Sequence, residues 1–534
     1  MGTYDYIVVG AGSAGAVVAG RLSEDPGTTV LLVEAGGKGR DLNVKIPAAF
    51  AKQFKTGLDW EYYTEPEPHL DGRRIYHPRG KMLGGCSAQN AMIYIRGNRA
   101  DYDAWAAGGA TGWGYDDLLP LFKRAERNSR GGDALHGGEG PLFIEDPRSP
   151  HEVSERLVDA MVEIGLPRNP DFNGPTQEGA GLYQLTQRRG QRWTTSDGYL
   201  RPARKRANLT VLTGALVTRV VLEGDRAVGV ELEQGGSRVV HRAGREVVLS
   251  AGAFGTPHLL MLSGIGPADH LREHGVGVVV DNPNVGAHLM DHPMYLLNAE
   301  TTAARTLAEA ESPRELVAYL TRRRGLLTSN VGEAGGFFHT TDGLAGPDMQ
   351  FLAGPAYFWD HGFATHDKPA IAVGCSLVGP RSRGRVRLAG SDPSTKPSVR
   401  FDYFAEPADM TAMVTAVERA RELLATSAMR GLVGSELHPG AAHTTRAELE
   451  AQIRAGVEHT YHPSCTARIG SESDGVVDPT LRVHGVQGLR VADASVFPTI
   501  TRGNTHAPSV VVGEKAADLL RSGVVAGGRA GQVA

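Results

Sequence analysis

A glycine-rich turn, Gly10–Gly15, stands between a short apolar run and an alanine-rich segment that reaches Leu22. The apolar run, Tyr6–Val9, predicts a buried strand, and the segment after the turn predicts a helix. A second apolar run over residues 29–33 predicts the next strand, and it is followed by Glu34. This order predicts the first unit of a doubly wound parallel sheet, which consists of a strand, a tight glycine turn, a helix and a second strand.

The turn and the acidic residue together indicate a dinucleotide site. Glycines let the backbone turn tightly and bring N–H groups and the positive end of the helix close to a pyrophosphate. A carboxylate at Glu34 suits an adenosine ribose with a free 2′-hydroxyl, so FAD or NAD fits better than NADP. The turn alone leaves the choice between FAD and NAD open. The residues predicted to border this cofactor are Gly10, Gly12, Ser13, Ala14, Gly15, Glu34 and Ala35.

Length and composition restrict the class of protein. A chain of 534 residues is longer than one core usually supports, so two domains are expected. The formal net charge of -4 gives no reason to expect a nucleic-acid partner. Cys86, Cys375 and Cys465 are far apart and lack metal-ligand spacing, which argues against a disulfide framework and a metal site. We further expect a cytoplasmic protein, because no signal peptide and no apolar run of about 18 residues is visible.

The rest of the chain changes character twice. Residues 209–250 alternate apolar and polar residues between turns, which predicts a small antiparallel meander that ends in a buried strand. A helix is predicted after it, with Pro257 near its first turn. Between about 300 and 457 the glycine fingerprints stop, which predicts a second, sheet-based domain that builds the substrate pocket. Helices are predicted over residues 411–424 and 509–520.

Five separated blocks of sequence resemble the glucose–methanol–choline (GMC) oxidoreductase family, a group of FAD enzymes that oxidise alcohols. The blocks are the glycine turn with Glu34, then Gly80–Gly97, Gly252–Gly266, Val285–Pro293 and His462–Lys515. The second block is similar to the family signature GKxLGGSSxxNxMxYxRG, with Cys86 in place of the first serine. The fourth is similar to VGxNLxDHP, with His288 in place of asparagine. Together the blocks span nearly the whole chain.

The resemblance implies an α/β fold with an α+β substrate domain. The GMC fold combines a Rossmann-like FAD-binding domain with a sheet-based substrate-binding domain, both discontinuous in sequence. We expect the FAD-binding domain over residues 1–150, 192–299 and 458–524, the substrate-binding domain over 151–191 and 300–457, and a flexible tail over 525–534. Motifs at residues 59–62 and 333–337 resemble the branch of choline dehydrogenases and small-alcohol oxidases.

The resemblance also assigns residues to the flavin. Some relatives bond FAD covalently through a histidine that precedes the asparagine of the first signature; here that position is Gln89, so we expect non-covalent FAD. Asn90 and Met92 are expected near the isoalloxazine, and Asp493 and Ala494 near the flavin or pyrophosphate. The further residues expected to contact the cofactor are Arg79, Gly80, Met82, Gly85, Ala91, Val217, Ala251, Gly252, His506 and Pro508.

Two histidines are the catalytic candidates. Oxidation of an alcohol removes the hydroxyl proton and a hydride from the same carbon, and histidine is the side chain best suited to accept a proton near neutral pH. His462 stands where the resemblance places the active-site histidine of the family, so we expect it to act as the base or alkoxide partner. His506 matches a position that holds a second histidine or an asparagine, and is expected to bind the substrate oxygen. Which of the two takes the proton stays open.

The substrate is predicted only by class. Trp60 and Glu333 lie in motifs that supply an aromatic wall and an anion in choline-handling relatives, and Phe358 either lines the pocket or belongs to the core. We expect a primary alcohol that is oxidised to the aldehyde, with O2 or another electron acceptor, in a monomer or homodimer. The identity of the acceptor stays open. Hydroxynitrile lyase and fatty acid photodecarboxylase activities are alternatives on the same fold.

Overall fold

A computed structural model describes residues 2–303 and 305–529, and it contains two large sheets. The first has seven strands, and its core is parallel. Six of them follow one another in the spatial order Leu209–Thr213, Val30–Glu34, Thr3–Val9, Ser237–Leu249, Arg226–Gln234 and Ala215–Glu223. The seventh, Leu489–Val491, pairs with the end of Ser237–Leu249. The predicted parallel unit and the antiparallel meander are therefore both present, in one sheet.

The glycine turn joins this sheet to its first helix as predicted. The strand Thr3–Val9 leads into Gly10, whose φ of 96° favours glycine, and the helix Gly15–Leu22 begins after the turn. A Cβ on Gly15 would lie 1.9 Å from the carbonyl oxygen of Gly10, so no side chain fits at this position. The last helix, His506–Arg529, packs against the first one. The two ends of the chain thus meet at the dinucleotide turn.

The second sheet is antiparallel and confirms the expected sheet-based second domain. Its main strands follow the spatial order Val433–His438, Pro293–Thr301, Ala370–Leu377, Met349–Gly354, Ala334–Phe338 and Gly179–Leu182. The short strand Glu458–His459 pairs with the start of Pro293–Thr301. Residues 293–299 and 458–459, which were expected in the first domain, therefore belong to this sheet.

Helices cover both sheets, and several differ from the predicted bounds. The helix predicted to begin near Pro257 begins at Gly252, and the last helix extends beyond residue 520 to Arg529. The expected flexible tail stays a prediction, since residues 530–534 lie outside the described part of the chain. The remaining α-helices are Leu42–Lys45, Arg99–Ala107, Tyr115–Ala125, Glu152–Glu163, Arg201–Ala203, Ala268–Glu273, Pro313–Arg322, Pro407–Leu424 and Arg446–Gly456.

Short elements complete the description. The 3-10 helices are Pro47–Gln53, Pro68–Leu70, Gly85–Ala88, Leu307–Glu309, Leu326–Thr328, Asp360–Gly362, Ser427–Met429 and Ala494–Val496, and Ser196–Leu200 is a π-helix. The short strand pairs are Tyr62–Tyr63 with Tyr76–His77, Glu126–Asn128 with Leu142–Ile144, Gln187–Arg188 with Gln191–Arg192, Ile265–Gly266 with Val280–Asp281 and Arg385–Arg387 with Ser398–Arg400. Among the described residues, the helices are each too short or too polar to cross a bilayer.

Candidate active site

One cavity of about 350 Å³ extends from the dinucleotide turn to His462, between the two sheets. Most of the predicted cofactor residues line it. They are Gly10, Gly12, Ser13, Ala14, Glu34, Ala35, Arg79, Gly80, Gly85, Asn90, Ala91, Met92, Val217, Ala251, Gly252, Asp493, Ala494 and His506. The predicted catalytic and substrate residues His462, Trp60 and Phe358 line the same cavity.

Four predicted site residues lie elsewhere. Gly15 is enclosed by the turn itself, Met82 is fully buried against Val44 and Ala88, and Pro508 is buried within the last helix. The carboxylate of Glu333 accepts hydrogen bonds from the backbone N–H of His151 at 2.8 Å and the hydroxyl of Ser154 at 2.7 Å. The expectation that Glu333 offers an anion to the substrate is therefore wrong, because this carboxylate holds the start of the helix Glu152–Glu163.

The end of the cavity at the glycine turn has the features of a dinucleotide site. No atom lies within 4 Å of a Cβ built on Gly12, so its backbone borders open space that a side chain would fill. Glu34 accepts hydrogen bonds from the backbone N–H groups of Ala11 at 2.9 Å and Gly36 at 2.8 Å, and burial raises its pKa to about 7. These residues fit the ribose and pyrophosphate of FAD, with Glu34 as the acceptor for the ribose hydroxyls.

His462 lies at the other end of the cavity, and both of its ring nitrogens have polar neighbours. Nδ1 lies 3.0 Å from Nδ1 of His292 and 3.0 Å from the hydroxyl oxygen of Thr460. Nε2 lies 3.3 Å from the amide nitrogen of Asn504, which also lines the cavity. Burial, and then the neighbouring His292, hold the pKa of His462 well below its usual value. The imidazole is therefore neutral at physiological pH and able to accept a proton.

The orientation of Asn504 indicates which nitrogen of His462 carries the proton. The amide oxygen of Asn504 accepts a hydrogen bond from Gln350 at 3.3 Å, so its NH2 group is directed at Nε2 of His462. The hydroxyl of Thr460 donates to the carbonyl of His292 at 3.3 Å, which leaves its oxygen free to accept a hydrogen bond from an N–H group at Nδ1 of His462. A proton on Nδ1 and a lone pair on Nε2 satisfy all of these contacts.

His506 is not the partner of His462. It is the first residue of the last helix, and its Nδ1 lies 3.0 Å from the hydroxyl of Ser13 in the dinucleotide turn. Its Nε2 is buried and has no hydrogen-bond partner among the described residues, and burial lowers its pKa to about 4. In this motif Asn504, and not His506, is thus the side chain next to Nε2 of His462, while His506 contacts the dinucleotide turn. Sequence reasoning missed Asn504, although the same motif contains it.

One buried carboxylate fixes the backbone around His462. The Oδ1 atom of Asp291 accepts from the backbone N–H groups of His292 at 2.8 Å and His462 at 2.7 Å, and burial raises its pKa to about 7. The Oδ2 atom of Asp291 lies 3.9 Å from Nδ1 of His77 and 3.6 Å from Nδ1 of His459, whose rings stack on each other, and these three residues are of types that can bind a metal. Nδ1 of His459, however, already accepts from the backbone N–H of Tyr461, and its Nε2 lies 2.9 Å from a backbone carbonyl. Both ring nitrogens of His459 are therefore engaged by backbone groups, and Asp291 holds the backbone of His462.

Aromatic side chains form the wall beside His462. Phe50 stacks on Phe358 with ring centroids 6.0 Å apart, and Phe54 lies 5.7 Å from Tyr461. All four line the cavity. Trp60 belongs to another part of the wall, where it stacks on Tyr62 and lies under the ammonium of Lys81.

The comparisons with known proteins agree with this architecture. Two family models described as GMC oxidoreductase match residues 4–294 and 380–513. The chain is 41% identical to an oxygen-dependent choline dehydrogenase of Sinorhizobium fredii, over 96% of this chain and 95% of the relative. It is 40% identical to an alcohol dehydrogenase [acceptor] of Pseudomonas putida, over 97% and 95%. A variant of the formate oxidase of Aspergillus oryzae, made to study FAD modification, superposes with a TM-score of 0.92 at 29% identity, covering 98% of both chains. The chain therefore belongs to the GMC oxidoreductase family.

Proposed function

We propose that this oxidoreductase binds FAD non-covalently and oxidises an uncharged, apolar primary alcohol to the aldehyde. The observation that carries the proposal is the position of Nε2 of His462. His462 lines the cavity, and in the tautomer assigned above its Nε2 carries the lone pair and lies 3.3 Å from a hydrogen-bond donor, the amide nitrogen of Asn504. A base and a donor at one point are what the deprotonation of an alcohol requires.

The chain's own residues perform the proton transfer. An alcohol oxygen within hydrogen-bond distance of both Nε2 of His462 and the NH2 group of Asn504 gives its proton to Nε2 while it accepts a hydrogen bond from the amide. In the imidazolium that forms, the N–H group at Nδ1 donates a hydrogen bond to the hydroxyl oxygen of Thr460 or to Nδ1 of His292. This assignment replaces the predicted histidine pair, because Asn504 contacts Nε2 of His462 whereas Nδ1 of His506 contacts the hydroxyl of Ser13.

FAD supplies the acceptor for the hydride that leaves the alcohol carbon. Glu34 and the backbone of the glycine turn would hold its adenosine and pyrophosphate, and Asn90 and Met92 line the same cavity. Gln89 also lines the cavity, and an amide cannot form the bond that attaches FAD to a histidine in some relatives. These residues support dissociable FAD.

The carboxylates along the cavity argue against a cationic substrate. Within the described residues, its only carboxylates are Glu34 and Asp493. Glu34 is used by the turn, and Asp493 accepts from the backbone N–H of Gly252 at 2.9 Å and the hydroxyl of Thr256 at 2.6 Å. The cavity therefore offers aromatic side chains but no free carboxylate among its described lining residues to pair with the ammonium group of choline. An alkyl or aryl alcohol fits this lining better.

An anaerobic titration of the flavin spectrum tests this proposal. We expect benzyl alcohol and medium-chain primary alkanols to bleach the oxidised flavin band, and choline and sugars to do so only weakly. Readmission of air then separates oxidase from dehydrogenase, since an oxidase regains its colour without another acceptor. Bleaching by choline at lower concentrations than by any uncharged alcohol would contradict the substrate class. A flavin that no alcohol bleaches, with release of cyanide from mandelonitrile, would favour a lyase instead.

A further inference from the structure

The helix Pro313–Arg322 presents an apolar stripe to solvent. Leu316, Val317 and Leu320 are 42%, 58% and 54% exposed. The described part of the chain has seven large hydrophobic side chains with such exposure, and this one helix carries three of them. Their spacing places them on one face. Scattered apolar residues need no explanation, but a contiguous stripe indicates contact with something apolar.

The opposite face of this helix is fixed to the protein. Tyr319 is fully buried in a cluster with Ile46 and Leu326, and its hydroxyl donates to the carbonyl of Lys45 at 3.3 Å. The carboxylate of Glu315 pairs with Arg305 and accepts from the backbone N–H of Leu326 at 2.8 Å. The stripe is therefore held outward by the packing of the other face.

Arginines flank the stripe at both ends of the helix. Arg314, Arg322 and Arg324 are exposed, and Arg323 is partly buried over the ring of Tyr319. No carboxylate of the described residues forms an ion pair with any of the four. The acidic residues nearest in sequence are already paired, Glu309 and Glu315 with Arg305 and Glu311 with Lys52. The surface around the stripe is therefore positively charged.

We propose that this face docks the protein on the surface of an anionic phospholipid bilayer. Leu316, Val317 and Leu320 would enter the headgroup region, while the arginines contact lipid phosphates. An apolar face flanked by arginines is the pattern of helices that lie in a membrane interface. A second copy of the chain fits less well. A two-fold axis would bring Arg314 and Arg322–Arg324 of one copy close to the same arginines of the other, and their like charges would repel.

The docking face is close in sequence to the substrate cavity. The chain continues from this helix through Leu326–Thr328, which packs on the segment that contains Phe50. It then reaches Asn330 and Val331, which line the cavity together with Phe50. A bilayer bound here would be next to segments that border the cavity, where an apolar alcohol or a lipid-soluble electron acceptor would be concentrated.

Co-sedimentation of the FAD-loaded protein with vesicles tests the proposal. We expect binding to vesicles of phosphatidylcholine with phosphatidylglycerol, weaker binding to phosphatidylcholine alone, and release at high salt. Each arginine near an anionic surface strengthens binding about fivefold, so a variant with Arg314→Gln, Arg322→Gln and Arg324→Gln should bind on the order of 100-fold more weakly. A second variant, with Leu316→Ser, Val317→Ser and Leu320→Ser, should also lose binding.

Matched controls exclude a general effect of charge or hydrophobicity. Arg201, Arg204 and Lys205 form a basic cluster without an apolar stripe, and their replacement by glutamine should leave vesicle binding unchanged. The same holds for Val279→Ser, at an exposed apolar residue outside the helix. Circular dichroism and flavin absorbance check that each variant is folded, and the arginine variant remains informative if the serine variant does not fold.

Three results would overturn the proposal. The first is a wild-type protein that ignores anionic vesicles at low salt. The second is an equal loss of binding in the control cluster. The third is a wild-type oligomer, seen by sedimentation velocity, that the stripe variant converts to monomers while vesicles have no effect; the occupant of the face would then be a second copy of the chain.

Discussion

Nδ1 of His292 lies 3.0 Å from Nδ1 of His462, and the backbone N–H groups of both residues donate to the same oxygen of Asp291. The two rings meet edge to face, with centroids 5.1 Å apart. His292 does not line the cavity, whereas His462 does. In the proposed mechanism His292 therefore acts through His462, as a positioning residue that keeps the proton on Nδ1 and the lone pair of Nε2 towards the substrate.

We predict that His292→Phe leaves FAD bound but slows flavin reduction on the order of tenfold, the usual cost of losing a partner that orients an active-site side chain. His292 is also one of the groups that lower the pKa of His462. The acid limb of the pH profile of kcat/KM should therefore move to higher pH in the variant. The control is His288→Asn, four residues earlier and outside the cavity. An unchanged pH profile in His292→Phe would show that His292 is only structural.

His462 and His506 should give opposite results when each is replaced by alanine. His462→Ala removes the base, and we expect normal FAD content with a rate of flavin reduction lowered by about 10² to 10⁴. His506→Ala removes a contact to Ser13, and we expect FAD to bind about fivefold more weakly, the effect of one hydrogen bond. Stopped-flow reduction and FAD dissociation measure the two effects. A large loss of reduction rate in fully loaded His506→Ala would restore the histidine pair.

Asn504→Ala should lower kcat and leave substrate binding nearly unchanged, because the amide is expected to stabilise the transition state. Its NH2 group is the donor beside Nε2 of His462, and removal of one such donor lowers kcat by about 10² or more. The apolar wall is untouched, so the affinity for a non-reacting analogue of the alcohol should change little. Asn504→Ala with a normal kcat and a raised KM would mean that the amide only binds substrate.

The sequence predicted the dinucleotide end better than the catalytic end, for a physical reason. The glycine turn, its strand and helix, and Glu34 are adjacent in the chain, so local geometry determines the site. The catalytic end is built from loops that only the folded sheets bring together: Asp291, Thr460 and Asn504 lie far apart in sequence. Which of two polar residues in one motif reaches His462 depends on where the last helix begins, at His506. Glu333 was misassigned because its motif says nothing about the helix that it caps.

The charge of Asp291 should give a measurable slope of stability against pH. Its pKa is about 7 in the folded protein and about 3.9 in an unfolded chain, so the folded state binds more protons between these values. The contribution of Asp291 is therefore most favourable at low pH and is lost as pH rises towards 7. Asp291→Asn keeps an oxygen for the two N–H groups and removes the charge. The free energy of unfolding of the variant, relative to wild type, should increase with pH over this window in denaturant titrations; a decrease would contradict the assignment.

Two substitutions distinguish a site for uncharged alcohols, lined by aromatic side chains, from a site for a cationic substrate. Phe358→Ala removes the ring that stacks on Phe50, and loss of a buried aromatic contact should lower kcat/KM for benzyl alcohol by about tenfold or more. Its effect on a short alkanol should be smaller, because a small substrate does not reach the ring. Glu333→Gln keeps an acceptor for His151 and Ser154 and should change neither substrate's kcat/KM, whereas an anion that binds choline would be lost. If Glu333→Gln abolishes oxidation of choline, and choline is the best substrate, the carboxylate must reach the cavity by a rearrangement, and the substrate is cationic.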